Sequence, residues 1–343
     1  MTGQWFPGTF WNTPLDDPAT GRMRTIVNDA NGYAAKLAAQ ATRTKTSTPI
    51  SGFYPLGWQT ISVDYSSSVQ IVHVPDACRR VPVQLNQGTT VYQDTDLNGL
   101  PAICKSVPVP PNYVTAANSN DRPYVVVTES GECFEFWLWN AHGSLDGPFS
   151  ASFGGYVPNI YNHPGAFPNG WGVSASGLPL IAGMLRMSEF QDYLRNGTVP
   201  PHMLRIQVSD TTGTHLAPAV RNDGQAEIHN VQGSNAQAVP EGAIFALPAD
   251  YQPPTTLTAF ETCTQLMARD YGMIVCDATG GTVNIVLEDH HTQGSGYCEI
   301  PLDQVTYPQP GFWDPYNAAA SGTSNPWNVF PWTQLQQVAP PVP

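Results

Sequence analysis

The sequence predicts a mainly β fold with peripheral helices: an antiparallel sandwich or jelly-roll-like domain followed by an extended aromatic, Pro-rich C-terminal arm. Three observations predict it. Short runs rich in Val, Tyr, Phe and Trp recur along the chain, bounded by clusters of Gly, Pro, Asn and Ser. Charged residues are only 12%, while Gly 30 and Pro 33 are abundant, which suits a loop-rich fold with polar, uncharged surfaces. Helical periodicity is confined to three regions. With 343 residues, 41% of them hydrophobic, the chain can bury a full core, and its aromatic content argues against disorder.

The elements follow in order. Residues 1–24 are extended and turn-rich, as Phe10-Trp11-Asn12-Thr13-Pro14 suggests. Asn28 to Thr42 reads as a helix, because Ala30, Tyr33, Ala34, Leu37, Ala38 and Ala41 keep i, i+3, i+4 spacing and Asn28 or Asp29 can cap it. Strands dominate from about 49 to 160, with Gln59–Tyr65, Val69–Val74, Tyr124–Thr128 and Cys133–Trp139 as examples. An irregular aromatic loop spans 156–172. The region 180–196 is expected to hold a short helix, Leu180 to Leu185, and then a second one. Ser188 would be the N-cap of that second helix and Gln191 its N3 residue, with Asn196-Gly197 as the stop.

His202–Val208 and Ile244–Leu247 read as strands. Leu257–Tyr271 is the third helical region, with Phe260, Cys263, Leu266, Met267 and Asp270 in register. Met273–Cys276 and Val283–Leu287 flank Ala278-Thr279-Gly280-Gly281, which reads as a hairpin turn. Residues 1–304 thus form a single β-rich domain. Residues 305–343 form the arm, nearly uncharged and aromatic. Its Phe312, Trp313, Trp327, Phe330 and Trp332 are candidate docking anchors on a neighbouring subunit, with burial on this domain as the alternative.

The net charge of −13 argues against nucleic acid as a partner and against anionic lipid surfaces. No window approaches 18 consecutive apolar residues, so membrane insertion is not expected. Met1-Thr2-Gly3-Gln4-Trp5-Phe6-Pro7 lacks a basic region and an apolar run, so it does not read as a signal peptide. Neutral glycans and proteins remain as partners, and solubility alone also accounts for the charge. Six cysteines, at 78, 104, 133, 263, 276 and 298, fit no zinc spacing. Cys263 and Cys276 are the first choice for a disulfide, against reduced, buried thiols.

Several segments carry a resemblance. They are Phe10 to Pro14, Glu135-Phe136-Trp137, Gly170 to Arg186, His202 to Ile206, Pro240 to Phe245 and Arg269 to Asp277. In this order they resemble an uncharacterised family of actinobacteria and their phages, whose phage members are labelled minor tail proteins. The resemblance covers roughly residues 5–290. It implies a virion component at a phage tail, extracellular after host lysis, with other tail proteins as partners. A homo-oligomer is expected by analogy with ringed tail tips.

Some residues suggest chemistry. In Cys133–Trp139, alternation places Phe134, Phe136 and Leu138 on one side and Glu135, Trp137 and Trp139 on the other. A carboxylate beside two indoles suits a sugar, and with a second acid it would suit glycosidic cleavage. The alternative is a strand buried on both faces. The following loop adds Tyr161, His163 and Trp171 as glycan-binding candidates, with His163 also a candidate base. Asp94, Asp96 and Asn98 match the first half of a calcium loop, but Ser106 stands where its last acid belongs, so Ca²⁺ is a weak candidate. Asp289-His290-His291 lacks a metal-ligand spacing. The expected function is a structural minor tail protein at the tail tip that contacts host envelope glycans. The alternative is a glycosidase or lyase acting on the actinobacterial cell wall, with Glu135 and His163 as its catalytic candidates.

Overall fold

A computed structural model of the chain describes residues 4–41, 71–85, 106–110, 122–140, 147–167, 172–208, 210–222, 237–278, 283–288 and 329–342. Strands outweigh helices in it, as expected. Two sheets form the frame. The first has the order β1 (Val72–Val74), β5 (Tyr124–Thr128), β6 (Cys133–Trp137), β8 (Phe153–Val157). The second has the order β14 (Asn284–Ile285), β9 (Leu204–Val208), β13 (Met273–Ala278), β12 (Ile244–Ala246), β15 (Gln336–Val338). Three short pairs complete the described strands: β2 (Arg80–Val81) with β4 (Val107–Pro108), β3 (Val83–Leu85) with β7 (Phe149–Ala151), and β10 (Thr211–His215) with β11 (Val239–Glu241).

The strand period of two divides the interior into layers. Met273 and Val275 of β13 face a core shared with helices α1 (Tyr33–Ala41), α2 (Met187–Asn196) and α3 (Ala259–Asp270). Ile274 and Cys276 of the same strand face the other way. There they meet Val125, Val127, Cys133 and Val157 of the first sheet, with Trp5, Phe6 and Trp11 filling between. The far side of the first sheet, with Tyr124, Val126, Phe134 and Phe136, closes a third cluster.

The structure corrects several expectations. The sheets are mixed: β1 runs parallel to β5, and β9 runs parallel to β13 across a connection that contains α3. The expected hairpin does not form, because β9 lies between β13 and β14 and pairs with both. Residues 180–183 make turns instead of a helix, Leu185 bridges to Leu287, and α2 begins at Met187. Glu189, not Gln191, is its N3 residue, and the Glu189 carboxylate accepts the Arg186 backbone N–H at 3.0 Å. The stop at Gly197 is as expected, with φ of 69°. Helix α1 starts at Tyr33, where Asp29 accepts the N–H groups of Tyr33 (2.6 Å) and Ala34 (2.8 Å). In α3 the cap is Thr258, paired reciprocally with Glu261.

Cys263 and Cys276 are free thiols. They lie in different core layers, on opposite faces of the second sheet, so they cannot bridge. Residues 329–342 pack on this domain. Phe330 and Trp332 are buried in the helix-side core, and β15 extends the second sheet antiparallel to β12. An edge position beside β12 gives the tail backbone bonds that the sequence did not signal. Phe312, Trp313 and Trp327 lie outside the described residues, as do the strand 59–65 and Asp289-His290-His291.

Candidate functional site

Glu135 sits in the middle of β6, between Val125 of β5 and Gly155 of β8. Its side chain points into the layer between the two sheets and is fully buried. One carboxylate oxygen accepts the N–H of Val173 at 3.0 Å and the other accepts the N–H of Leu180 at 2.7 Å. Two glycines let the loop come this close. A Cβ on Gly155 would stand 2.9 Å from the Gly172 Cα, and one on Gly172 would stand 3.1 Å from the Glu135 carboxylate. Gly172 also has φ of +104°, a conformation that side chains resist.

The same loop is gripped by cations. Arg221 donates to the carbonyls of Ala175 (3.1 Å), Gly172 (2.6 Å) and Ser174 (2.7 Å). Arg205, fully buried on β9, donates to the Pro179 carbonyl at 2.9 Å. Burial pushes the Glu135 carboxyl up to about 7. The two backbone N–H bonds and the charges of Arg205 and Arg221 oppose that rise. The carboxyl group is therefore a clamp on residues 172–180, with each oxygen engaged by a backbone N–H.

The other predicted residues divide. Trp139 was expected beside Glu135 but is buried on the opposite side of the sheet, stacked on Tyr124 at 4.3 Å. The cause is Leu138, whose φ of 55° ends the strand and reverses the alternation. Trp137 is half-buried at the strand end. The expected platform of Glu135, Trp137 and Trp139 is thus not assembled. His163 accepts the Gly165 N–H at 3.2 Å and packs edge-on against Phe6 and Phe167, and burial pushes its imidazole down. These contacts give His163 a structural role in the loop. Tyr161 is half-buried against the inter-sheet core. Trp171, Asp94, Asp96 and Asn98 lie outside the described residues. Among the described residues, no group of three or more His, Cys, Asp and Glu is placed to hold a metal ion. No described helix is long and apolar enough to cross a membrane.

Sequence reasoning missed a second polar cluster. Arg186 donates to Glu189 at 2.5 Å, and Glu189 also faces the His202 Nε2 at 3.1 Å. The His202 Nδ1 meets the Met203 carbonyl at 2.7 Å. Burial alone would raise the Glu189 pKa, but Arg186 and His202 outweigh it and hold the carboxyl well below its usual range. The Arg186 guanidinium lies 4.2 Å over the Trp5 ring. These residues line a half-open cavity together with Trp11 and Asn12. Trp11 is the hub. Its indole N–H donates to the Gly165 carbonyl at 2.7 Å, its own carbonyl accepts the Met203 N–H at 2.8 Å, and Gly165 and Gly183 press against its ring. The only trace of this cluster in the sequence is the acid three residues after Arg186.

No family model, curated protein or solved structure matches this chain.

Proposed function

We propose that this chain is a structural minor tail protein of a phage virion, built as a sandwich of two sheets, placed at the tail tip and in contact with host envelope glycans. The observation that carries the structural part is the use made of Glu135. The best acid candidate in the sequence spends both oxygens on holding a long loop. The segments behind the resemblance also meet in one interior, where Trp11, Gly183 and Arg205 touch. A particle that must survive outside a cell benefits from loops fixed by buried polar bonds. The glycan part rests on the acidic, weakly charged composition and the aromatic content.

The cell-wall hydrolase reading needs an acid open to substrate. Glu135 is enclosed, which weighs against that reading. Assembly with other tail proteins and a ringed homo-oligomer belong to the same proposal. Immunogold labelling of purified virions tests it directly. Label at the distal tail is expected, and label absent from virions overturns the proposal.

A further inference from the structure

We infer that residues 329–342 are exchanged between copies of this chain, so that in an oligomer each copy's segment fills a groove in a second copy. The inference deepens the homo-oligomer part of the proposed function and rests on it.

The groove and its occupant are both visible in a single chain. One wall is β12, which pairs antiparallel with β15 from Ile244↔Val338 to Ala246↔Gln336. The other wall is the extended run 22–27. There the Val27 N–H donates to the Gln337 carbonyl at 3.0 Å, and the Ala339 N–H donates to the Thr25 carbonyl at 2.9 Å. Between the walls, Phe330, Trp332 and Leu335 enter the helix-side core and Val338 enters the inter-sheet core. Backbone bonds on both edges set the register of this insert, and its four apolar anchors supply affinity.

Both walls are held by contacts that do not involve the segment. β12 pairs with β13 on its other edge. Arg24 ties the second wall to Asp16 (2.6 Å), to the Leu247 carbonyl and to the Arg269 carbonyl (2.8 Å). An emptied groove therefore keeps two strand edges over an apolar floor, and a matching strand satisfies both.

The length of the chain lets that strand come from a second copy. The 40 residues 289–328 separate Glu288 from the segment. They can span at most about 140 Å, against roughly 50 Å for the width of a domain of this size. The segment begins and ends at the surface, with Val329 48% and Val342 76% exposed. Neither end has to pass through the core. An exchanged copy makes the same contacts as a closed one, so only the tether favours the closed form, at an effective concentration on the order of millimolar. Copies held side by side in a ring meet that condition.

The test mixes two full-length variants, Ala246→Cys and Gln336→Cys, whose positions face each other in the register. They are unfolded together in urea, refolded at about 0.5 mM, oxidised and separated without reductant. A covalent pair joined between positions 246 and 336 is expected, at least about tenfold above either variant alone. The control carries both substitutions in one chain. If the control closes within its chain and the mixture gives no bond between chains, the inference is overturned. If the control does not close, light scattering of the refolded wild type decides. A dimer that persists for hours after dilution supports exchange, because leaving the groove means breaking β15 and withdrawing Trp332. Monomer alone, or a dimer that dissociates at once, overturns it. No exchange together with label on virion tails leaves the tail assignment standing, and exchange without label removes the tail assignment alone.

Discussion

Glu135 and Arg221 hold one loop by its opposite polarities. The carboxylate takes the N–H groups of Val173 and Leu180, and the guanidinium takes the carbonyls of Gly172, Ser174 and Ala175. A loop buried between two sheets must have its backbone groups paired, and these side chains replace the ladder bonds it cannot make.

Replacing Glu135 by Gln therefore acts on folding. An amide offers one acceptor and sets its NH2 against an N–H donor. The expected loss is about 1–3 kcal/mol, read from urea unfolding at about pH 8, above the carboxyl's pKa of about 7, where both oxygens accept. Faster hydrogen exchange at Val173 and Leu180, with other core amides unchanged, would locate the loss. A variant as stable as the wild type would refute the clamp.

The same carboxyl sets a pH dependence. Its folded pKa, about 7, lies above the ordinary glutamate value, so the folded state binds this proton more tightly than the unfolded state. Its contribution is full below about pH 4.5 and is lost as pH rises through 7, on the order of 3 kcal/mol. Glu189 is shifted down, so its contribution is present above the same reference and is lost as pH falls. Burial pushes His73 and His163 down, which acts the other way below about 6.5, so the comparison is between variants: from pH 4.5 to 8 the wild type should fall more, or rise less, than Glu135→Gln. Parallel curves would contradict the assignment.

Glu189→Gln should cost about 3–5 kcal/mol, because it leaves Arg186 buried without its counter-charge. Chemical denaturation checks the size. A change below 1 kcal/mol, the range of a surface pair, would mean that this pair is effectively solvated.

Trp332→Ala should cost about 3–5 kcal/mol by opening a void beside α1. This separates core from docking anchor. If Trp332 served only a neighbour, the isolated chain would keep its unfolding midpoint.

Cys78, Cys133, Cys263 and Cys276 should resist a thiol reagent in the native protein and react on unfolding, as mapped by mass spectrometry. All four are buried, and burial pushes the Cys276 thiol up to about 12 and raises Cys133 and Cys263 as well.

Parts of this fold were legible in the sequence. Tyr124–Thr128 is a strand as read, because its Val run fits a strand and little else. The helix at Ala259–Asp270 is legible from its period and its ending at Gly272. Trp139 was misread because alternation assumes an unbroken strand, and the positive φ of Leu138 leaves no mark in composition. Glu135 was placed on the correct face, but whether that face meets water depends on a second sheet that closes over it. The strand that separates β13 from β14 lies about 65 residues upstream of β13, beyond any local pattern. The cavity was invisible for the same reason, since Trp5, Asn12, Arg186 and His202 come together only in the folded chain.

The most direct test of the central claim is an assay of sugar released from purified actinobacterial cell walls by the wild type and by Glu135→Gln. Both should release nothing, while the variant unfolds at lower denaturant. Release by the wild type that vanishes in a Glu135→Gln variant of unchanged stability would contradict the account and make Glu135 a catalytic acid.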